Sequence, residues 1–158
     1  MIALVPILLL FATLCAAALQ DIAQLRISNI FPGIVVLLYI ANGILTGHWH
    51  VAQSLILFAI FFSIGLLLFH FGIFGGGDVK LLCALALWCS FASVGTFLMS
   101  IILFGGVVAL LFMIARRLLP DSLVKRLGWP GLARLGPVPY GVAIAAGTIF
   151  CFVPAAYY

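Results

Sequence analysis

Residues 30–71 read IFPGIVVLLYIANGILTGHWHVAQSLILFAIFFSIGLLLFHF and contain no Asp, Glu, Lys or Arg. As one helix, this stretch would extend about 60 Å, roughly twice the ~30 Å hydrocarbon core of a bilayer. The polar and aromatic residues Thr46–His50 divide it into two apolar runs, Ile30–Leu45 and Val51–Phe71. Such a cluster is typical of a turn at a membrane interface. The stretch therefore predicts two membrane-spanning helices joined by a short turn.

The rest of the chain has a similar composition. It is 67% hydrophobic and 6% charged over 158 residues, with a mean hydropathy of +1.43. A chain of this size cannot bury so many apolar residues in a water-soluble core, so the bilayer must be its solvent. Seven Lys and Arg against three Asp give a net charge of +4. The positions of these bases favour a membrane-topology signal, and no nucleic-acid binding is expected.

Three further segments complete the predicted topology. Met1–Gln20 lacks a basic start and predicts a retained helix rather than a cleaved signal peptide. Val79–Ala115 is too long for one crossing and predicts a helical hairpin with its turn at Ser90–Gly95. Val138–Tyr158 provides the final span. We expect an all-α membrane protein with six transmembrane helices, forming one domain over residues 1–158.

The basic residues orient these six spans. Arg26, Lys80 and the five bases of the loop 116–137 fall on one side, whereas the turns near residues 46–50 and 90–95 carry no Lys or Arg. By the positive-inside rule that side is cytoplasmic, and both chain ends are periplasmic or exterior. If residues 79–115 crossed only once, Lys80 and the loop bases would lie on opposite sides. That disfavours the alternative.

The chain contains only three acidic residues, Asp21, Asp78 and Asp121. Carboxylates near membrane spans are costly, so each one requires a reason. We expect Asp21 just after the first span and Asp78 just before the fourth, both at cytoplasmic helix ends. Two adjacent carboxyl groups share a proton and so provide an acid and a base that activate water. Taken singly, Asp21 is equally typical of a solvated helix end, and Asp78 and Asp121 of helix caps.

Gly75, Gly76 and Gly77 directly precede Asp78. Three successive glycines sacrifice helix stability, and capping alone does not require them. We expect them to adopt unusual dihedral angles and to let an extended substrate lie against the backbone. A phosphate-binding loop is disfavoured, because the spacing G-x-x-x-x-G-K-[ST] is absent and an acid follows the glycines.

Cys15, Cys83, Cys89 and Cys151 contain no C-x-x-C pair. Neither a metal site nor a redox motif is predicted from them, and no cofactor is expected. We interpret them as small packing residues.

The segment Gly75–Leu82, followed by Ala84–Trp88, resembles the G-x-G-D segment of type IV prepilin peptidases. Asp21–Asn29 resembles the first-aspartate segment of that family, with Ser28 in place of its usual proline. We expect Ser28 and Asn29 to cap the second span. Pro139–Gly147 resembles the family's final helix.

This resemblance implies a six-helix fold in the cell inner membrane and an aspartyl endopeptidase with Asp21 and Asp78 as its catalytic pair. The implied partners are the lipid bilayer and prepilins, whose leader peptides are cut at the cytoplasmic face before the hydrophobic pilin helix. The chain looks like the short form associated with Flp/Tad-type pili. The resemblance leaves open N-methylation of the product, the prepilins that are cut and the oligomeric state.

Supporting roles are assigned less directly. Lys80 is expected either to favour an ionised carboxylate and bind substrate or to anchor the interface, and Arg26 and Asn29 likewise support the site or anchor the chain. His70 is expected either to tune the two carboxyl groups or, as is more typical of a single His at an interface, to have a structural role. Two other functions stay open: a proton- or cation-coupled transporter or channel subunit, and a non-catalytic pilus-assembly subunit. A transporter is expected to have acids near the bilayer midplane or internal repeats, and neither is apparent.

Overall fold

The computed structural model describes residues 4–47, 50–120, 123, 128–132 and 136–153. Within these residues the chain forms six α-helices, one 3₁₀ turn and no strand. The helices are α1 (Leu4–Gln24), α2 (Ile30–Thr46), α3 (Val51–His70), α4 (Gly76–Ala86), α5 (Val94–Leu118) and α6 (Tyr140–Phe152), and the 3₁₀ turn is Pro130–Leu132. The predicted all-α class is confirmed. Asp121 and the loop bases Lys125, Arg126 and Arg134 lie outside the described residues.

Three of these helices are long and apolar enough to cross a membrane. They are α1, α3 and α5, with 21, 20 and 25 residues and mean hydropathies of 2.0, 2.4 and 2.8. Their outer faces are strongly apolar, with Leu19 and Ile102 about two-thirds exposed at 67% and 66%. The chain is therefore a membrane protein. Helices α2, α4 and α6 have 17, 11 and 13 residues, and the six-span topology stays a prediction.

Helix α4 lies at the centre of the packing. It contacts α2, α3 and α6, while α1 contacts α2 and α6, and α5 contacts α6. Six of its eleven residues are buried, including Leu81 and Leu85 at 0% exposure. Leu14 of α1 and Ile144 of α6 belong to the same core. This central position explains why the shortest helix carries a run of small and apolar residues on all sides.

Helices α3 and α4 run antiparallel. A Cβ placed on Gly65 would lie 2.6 Å from Cγ1 of Val79, and at the other end Ser54 Oγ donates a hydrogen bond of 2.8 Å to the Leu87 carbonyl. Tyr39 donates in turn to Ser54 Oγ at 2.8 Å. These bonds satisfy a backbone carbonyl that the end of α4 leaves without a helical partner, which is essential away from water.

The turns lie close to where the sequence places them. Gly47 ends α2 with φ 69°, a left-handed conformation that favours glycine, and α3 begins at Val51. Between α4 and α5, Ser90 and Ser93 exchange hydrogen bonds: each hydroxyl accepts from the other's backbone N–H, at 2.9 and 3.1 Å. This turn precedes Val94, the first residue of α5.

Candidate active site

Asp21 lies within α1, in its last turn, and not beyond the first span as expected from the sequence. The helix continues through Ile22, Ala23 and Gln24 and ends at Leu25, which has a positive φ of 51°. The expectation failed because it ended the span at the first charge, although nothing in the following residues breaks a helix. Asp21 is 5% exposed, so its carboxyl group is buried between helices.

The carboxylate of Asp21 is fixed by a different helix. Its Oδ2 accepts a hydrogen bond of 2.7 Å from the backbone N–H of Gly141. Gly141 is the second residue of α6, where backbone N–H groups have no partner within the helix. Asp21 therefore supplies the acceptor that a capping side chain would otherwise provide, from 120 residues away.

Asp78 lies in the first turn of α4, with Gly75 as the N-cap residue. The alternative interpretation of Asp78 as the N-cap residue is therefore wrong, since Asp78 is the third residue of the helix. Its Oδ2 lies beside the Gly75 backbone, since a Cβ placed on Gly75 would lie 2.9 Å from it, and Asp78 thus has the position of the third-residue acid of a capping box. Among the described residues, its Oδ1 is buried and has no hydrogen-bond partner.

The two carboxylates lie at neighbouring helix starts. Asp21 binds the start of α6 through Gly141, and Asp78 belongs to the start of α4. Both helix starts contact the link between α1 and α2 at Ile27. The structure therefore places at one end of the molecule the two acids that the sequence separates by 57 residues, where a negative charge on one disfavours ionisation of the other.

Ile27 lies where the three helix ends of the site meet. A Cβ placed on Gly77 would lie 2.9 Å from the Ile27 carbonyl oxygen, and one placed on Gly141 would lie 2.9 Å from Ile27 Cδ1. The link between α1 and α2 therefore lies between the first turns of α4 and α6. Ile27 is 9% exposed, and the sequence analysis did not single it out.

The glycine run does not have the unusual dihedral angles expected from the sequence. Gly75 is extended, with φ −70° and ψ 147°, and Gly76 and Gly77 are the first two residues of α4. The run instead permits close approach within the protein. A Cβ on Gly75 would lie 2.9 Å from Asp78 Oδ2, and one on Gly77 would meet the Ile27 backbone. Gly76 has more room, since a Cβ placed on it would lie 3.4 Å from its nearest neighbour, the edge of the Phe69 ring.

Two of the predicted supporting residues contact each other. Lys80 Nζ donates a hydrogen bond of 2.8 Å to Asn29 Oδ1, and both side chains are exposed. Lys80 therefore links α4 to the start of α2 and does not pair with Asp78. Asn29 occupies the N-cap position of α2 without a side-chain capping bond, and Ser28 Oγ accepts only a long bond of 3.4 Å from the Ile30 N–H.

Two other side chains lie at this end of the molecule without polar contacts to the aspartates. Arg26 is exposed just after α1 and forms no hydrogen bond or ion pair with any residue that the structure describes. His70 is exposed at the end of α3 and packs edge-on against Phe71, with ring centroids 5.6 Å apart. These contacts indicate no role in the site for either Arg26 or His70.

Arg116 has a structural role that the sequence analysis missed. Its Nε donates to the Gly131 carbonyl at 2.9 Å and its Nη2 donates to the Pro137 carbonyl at 3.0 Å. These bonds hold the segment before α6 against the end of α5, and so help to place Gly141. Arg116 was interpreted only as a topology signal, because its partners are backbone carbonyls that no sequence pattern marks.

Other groups lie apart from the two acids. In the part of the chain that the structure describes, no three His, Cys, Asp or Glu side chains gather as metal ligands would. Cys83 and Cys89 are buried in agreement with packing roles, whereas Cys15 is exposed on α1. An apolar cavity of about 510 Å³ lies between α3, α4 and α5, with Val79 and Leu82 in its lining and neither aspartate.

Comparison with known proteins adds one finding. The sequence profile of the type IV leader peptidase family matches residues 8–114. The matched region contains both aspartates and the glycine run, and it ends before α6. No curated protein and no solved structure matches the chain.

Proposed function

The chain belongs to the type IV leader peptidase family, and on this basis we propose that it is an aspartyl endopeptidase that cleaves the leader peptides of Flp-like type IV prepilins. Cleavage takes place at the cytoplasmic face of the inner membrane. Asp21 and Asp78 are its catalytic residues.

One observation carries this proposal: the start of α4, which holds Asp78, and the start of α6, which binds Asp21 through Gly141, both contact Ile27, so the two carboxyl groups lie at one site although they belong to different helices. A pair of carboxyl groups this close does not ionise fully at one pH, so one group keeps its proton. The ionised group takes a proton from a water molecule, whose oxygen attacks the scissile carbonyl carbon. The protonated group donates a hydrogen bond to the carbonyl oxygen as negative charge develops there. The C–N bond then breaks, and the proton that was taken from water passes to the leaving amine.

The position of the bases supports a cytoplasmic site. Arg26 follows Asp21 by five residues, Lys80 follows Asp78 by two, and Arg116 binds the segment that leads to Gly141. All three therefore lie at the end of the molecule that contains the aspartates, as the positive-inside rule requires of a cytoplasmic face. The proposal retains six crossings with both chain ends outside, in which α2, α4 and α6 are shorter than α1, α3 and α5.

Isosteric replacement of each aspartate tests the proposal. With a co-expressed Flp-type prepilin, Asp21→Asn and Asp78→Asn are each expected to abolish leader cleavage, read as the size shift of the pilin on a gel. Membrane accumulation of the variants is followed by immunoblot. Asp121→Asn is the matched control, removes the remaining aspartate of the chain and is expected to leave cleavage unchanged. Complete processing by either Asp21→Asn or Asp78→Asn would overturn the enzyme assignment.

A further inference from the structure

The two aspartates of the site have different hydrogen-bonding environments. Asp21 Oδ2 accepts a buried hydrogen bond of 2.7 Å from Gly141, at the N-terminus of a helix to which Asp21 does not belong. Asp78 Oδ2 lies beside Gly75, its own N-cap residue, and its Oδ1 is buried without a partner among the described residues. The two carboxylates therefore differ in the hydrogen-bond donors that surround them.

This difference decides which carboxyl group better tolerates a negative charge. The unpaired N–H groups and the dipole at the start of α6 stabilise a negative charge on Asp21. The start of α4 acts on Asp78 in the same sense, but it leaves Oδ1 without a donor. A buried charged oxygen with no donor is costly, whereas a protonated Oδ1 can donate to a substrate carbonyl.

In the part of the chain that the structure describes, no other charged group makes Asp78 a better site for a negative charge than Asp21. Neither carboxylate forms an ion pair with Lys, Arg or His there, and Lys80 is bound to Asn29. Each group must therefore be assigned from its own donors and from the other carboxylate.

We propose that Asp21 is the ionised general base, that Asp78 is the protonated acid, and that Gly141 is the positioning residue that fixes this division. The inference rests on the proposed peptidase function for its catalytic meaning. The protonation order and the role of Gly141 are properties of the protein without substrate, so they are tested separately.

A side chain at Gly141 would have to push its neighbours aside. A Cβ at this position would lie 2.8 Å from Asp21 Oδ2 and 2.9 Å from Ile27 Cδ1, closer than real Cβ contacts come. An added methyl group therefore displaces the carboxylate from the N–H that binds it. Gly141 lies outside the matched region 8–114, so the family match does not point to it.

The composition of the chain makes the protonation order measurable. Three Asp and no Glu are present, so ¹³C-labelled aspartate gives three side-chain carboxyl signals. The purified protein in lipid nanodiscs is titrated by ¹³C NMR, and each signal is assigned by its loss in Asp21→Asn, Asp78→Asn or Asp121→Asn. We expect a pH range in which Asp21 has the shift of a carboxylate while Asp78 still has that of a carboxylic acid. The reverse order, or simultaneous titration of both, would overturn the assignment.

Gly141→Ala tests the positioning role, with Gly147→Ala as a matched control on the same helix. A Cβ on Gly147 would lie 2.7 Å from the Ile101 backbone, so this variant strains the packing of α6 on α5 without contacting Asp21. We expect Gly141→Ala to retain the Asp21 proton to higher pH and to lower kcat by at least about tenfold. Gly147→Ala is expected to lower the melting temperature and to leave the Asp21 titration unchanged.

An unchanged Asp21 titration in Gly141→Ala, or an equal change in Gly147→Ala, would overturn the role of Gly141. If Gly141→Ala does not accumulate, the variant is combined with Ile27→Val, which removes the contacting Cδ1 atom. The nearest atoms to the added methyl group are then those of Asp21, and the same titration decides. If cleavage assays showed no peptidase activity while the protonation order held, only the proposed function would fail.

Discussion

An aspartate carboxylate lies at the first turn of both α4 and α6, but it comes from the helix itself in α4 and from another helix in α6. In α4, Asp78 belongs to the helix and Gly75 lies three residues before it. In α6, the carboxylate comes from Asp21 of α1 and the donor is Gly141, 120 residues later. Both arrangements satisfy N–H groups that a helix start leaves unpaired. The first is a local feature of the sequence, whereas the second exists only in the folded protein.

The two aspartates of the proposed catalytic pair therefore depend on different parts of the fold. The environment of Asp78 is set by its own helix, which is packed at the centre of the molecule. The environment of Asp21 requires α1, the link at Ile27 and α6 to be in place together. Substitutions in the link or in the helix starts therefore distinguish the two.

The largest effect is expected from Gly77→Ala. Its Cβ would lie 2.9 Å from the Ile27 carbonyl oxygen, so the start of α4 must move away from the link beside Asp21. A displacement of about 1 Å at a reacting group costs roughly 100-fold in rate, and we expect a loss of that order in kcat/KM for prepilin cleavage.

Gly76→Ala is the control for this change. A Cβ placed on Gly76 would lie 3.4 Å from the edge of the Phe69 ring, and that side chain can shift. Alanine also favours a helix more than glycine does. Its cleavage rate is expected to stay within about threefold of wild type, since little transition-state energy is involved. Equal losses in both variants would show that the glycine run acts by backbone flexibility and not by close approach at Gly77.

A smaller effect, with opposite signs at the two aspartates, is expected in stability. Asp78 Oδ1 is buried without a hydrogen-bond partner among the described residues, so a negative charge on this carboxyl group is costly in the folded protein. The folded protein therefore holds the Asp78 proton more tightly than the unfolded chain does, and wild-type stability falls as pH rises and this group ionises. Asp78→Asn is expected to remove a cost of about 2 kcal/mol where the carboxyl group is ionised, and to give no gain near pH 4, close to the pKa of Asp in an unfolded chain.

Thermal unfolding in detergent as a function of pH measures this effect. Asp21→Ala provides the comparison, because it leaves the Gly141 N–H without its acceptor and is expected to destabilise the protein by about 1 kcal/mol at neutral pH. Stabilisation of the protein by both variants would mean that the α6 start does not depend on Asp21. A gain for Asp78→Asn that persists at pH 4 would contradict the linkage to its carboxyl group.

The smallest effect is expected at the exposed contact between Lys80 and Asn29. Lys80→Gln and Asn29→Ala each remove a hydrogen bond of 2.8 Å at the surface. Such contacts contribute about 0.5 kcal/mol, so cleavage is expected to change by less than about threefold. A loss of cleavage in Lys80→Gln but not in Asn29→Ala would instead indicate that Lys80 acts on the substrate.

Much of this architecture could be predicted from sequence. The runs Ile30–Leu45 and Val51–Phe71 correspond to α2 and α3 within one residue at each end, because apolar composition and Gly47 mark their limits. Asp21 and Asp78 could be paired because acids are scarce and a bilayer aligns helix ends. The family match covers both residues.

What could not be predicted depends on contacts between distant segments. The partners of Gly141, Ile27 and Arg116 are an aspartate from another helix, glycines and backbone carbonyls, none of which creates a periodic pattern. The start of α6 was expected at Val138, but Pro139 is extended and the helix begins at Tyr140. That shift of two residues is what places Gly141 in the first turn.

The bond between Asp21 and Gly141 also has a consequence for how the protein is made. At a translation rate of about 5 to 20 residues per second, a ribosome delivers Gly141 roughly 6 to 24 s after Asp21. Asp78 is added about halfway through that interval, so in the second half the nascent chain contains both acids while Asp21 still lacks the donor that orients it. The site is therefore complete only after α6 has been inserted. A chain whose synthesis stops before α6 is made lies in the membrane without an assembled site.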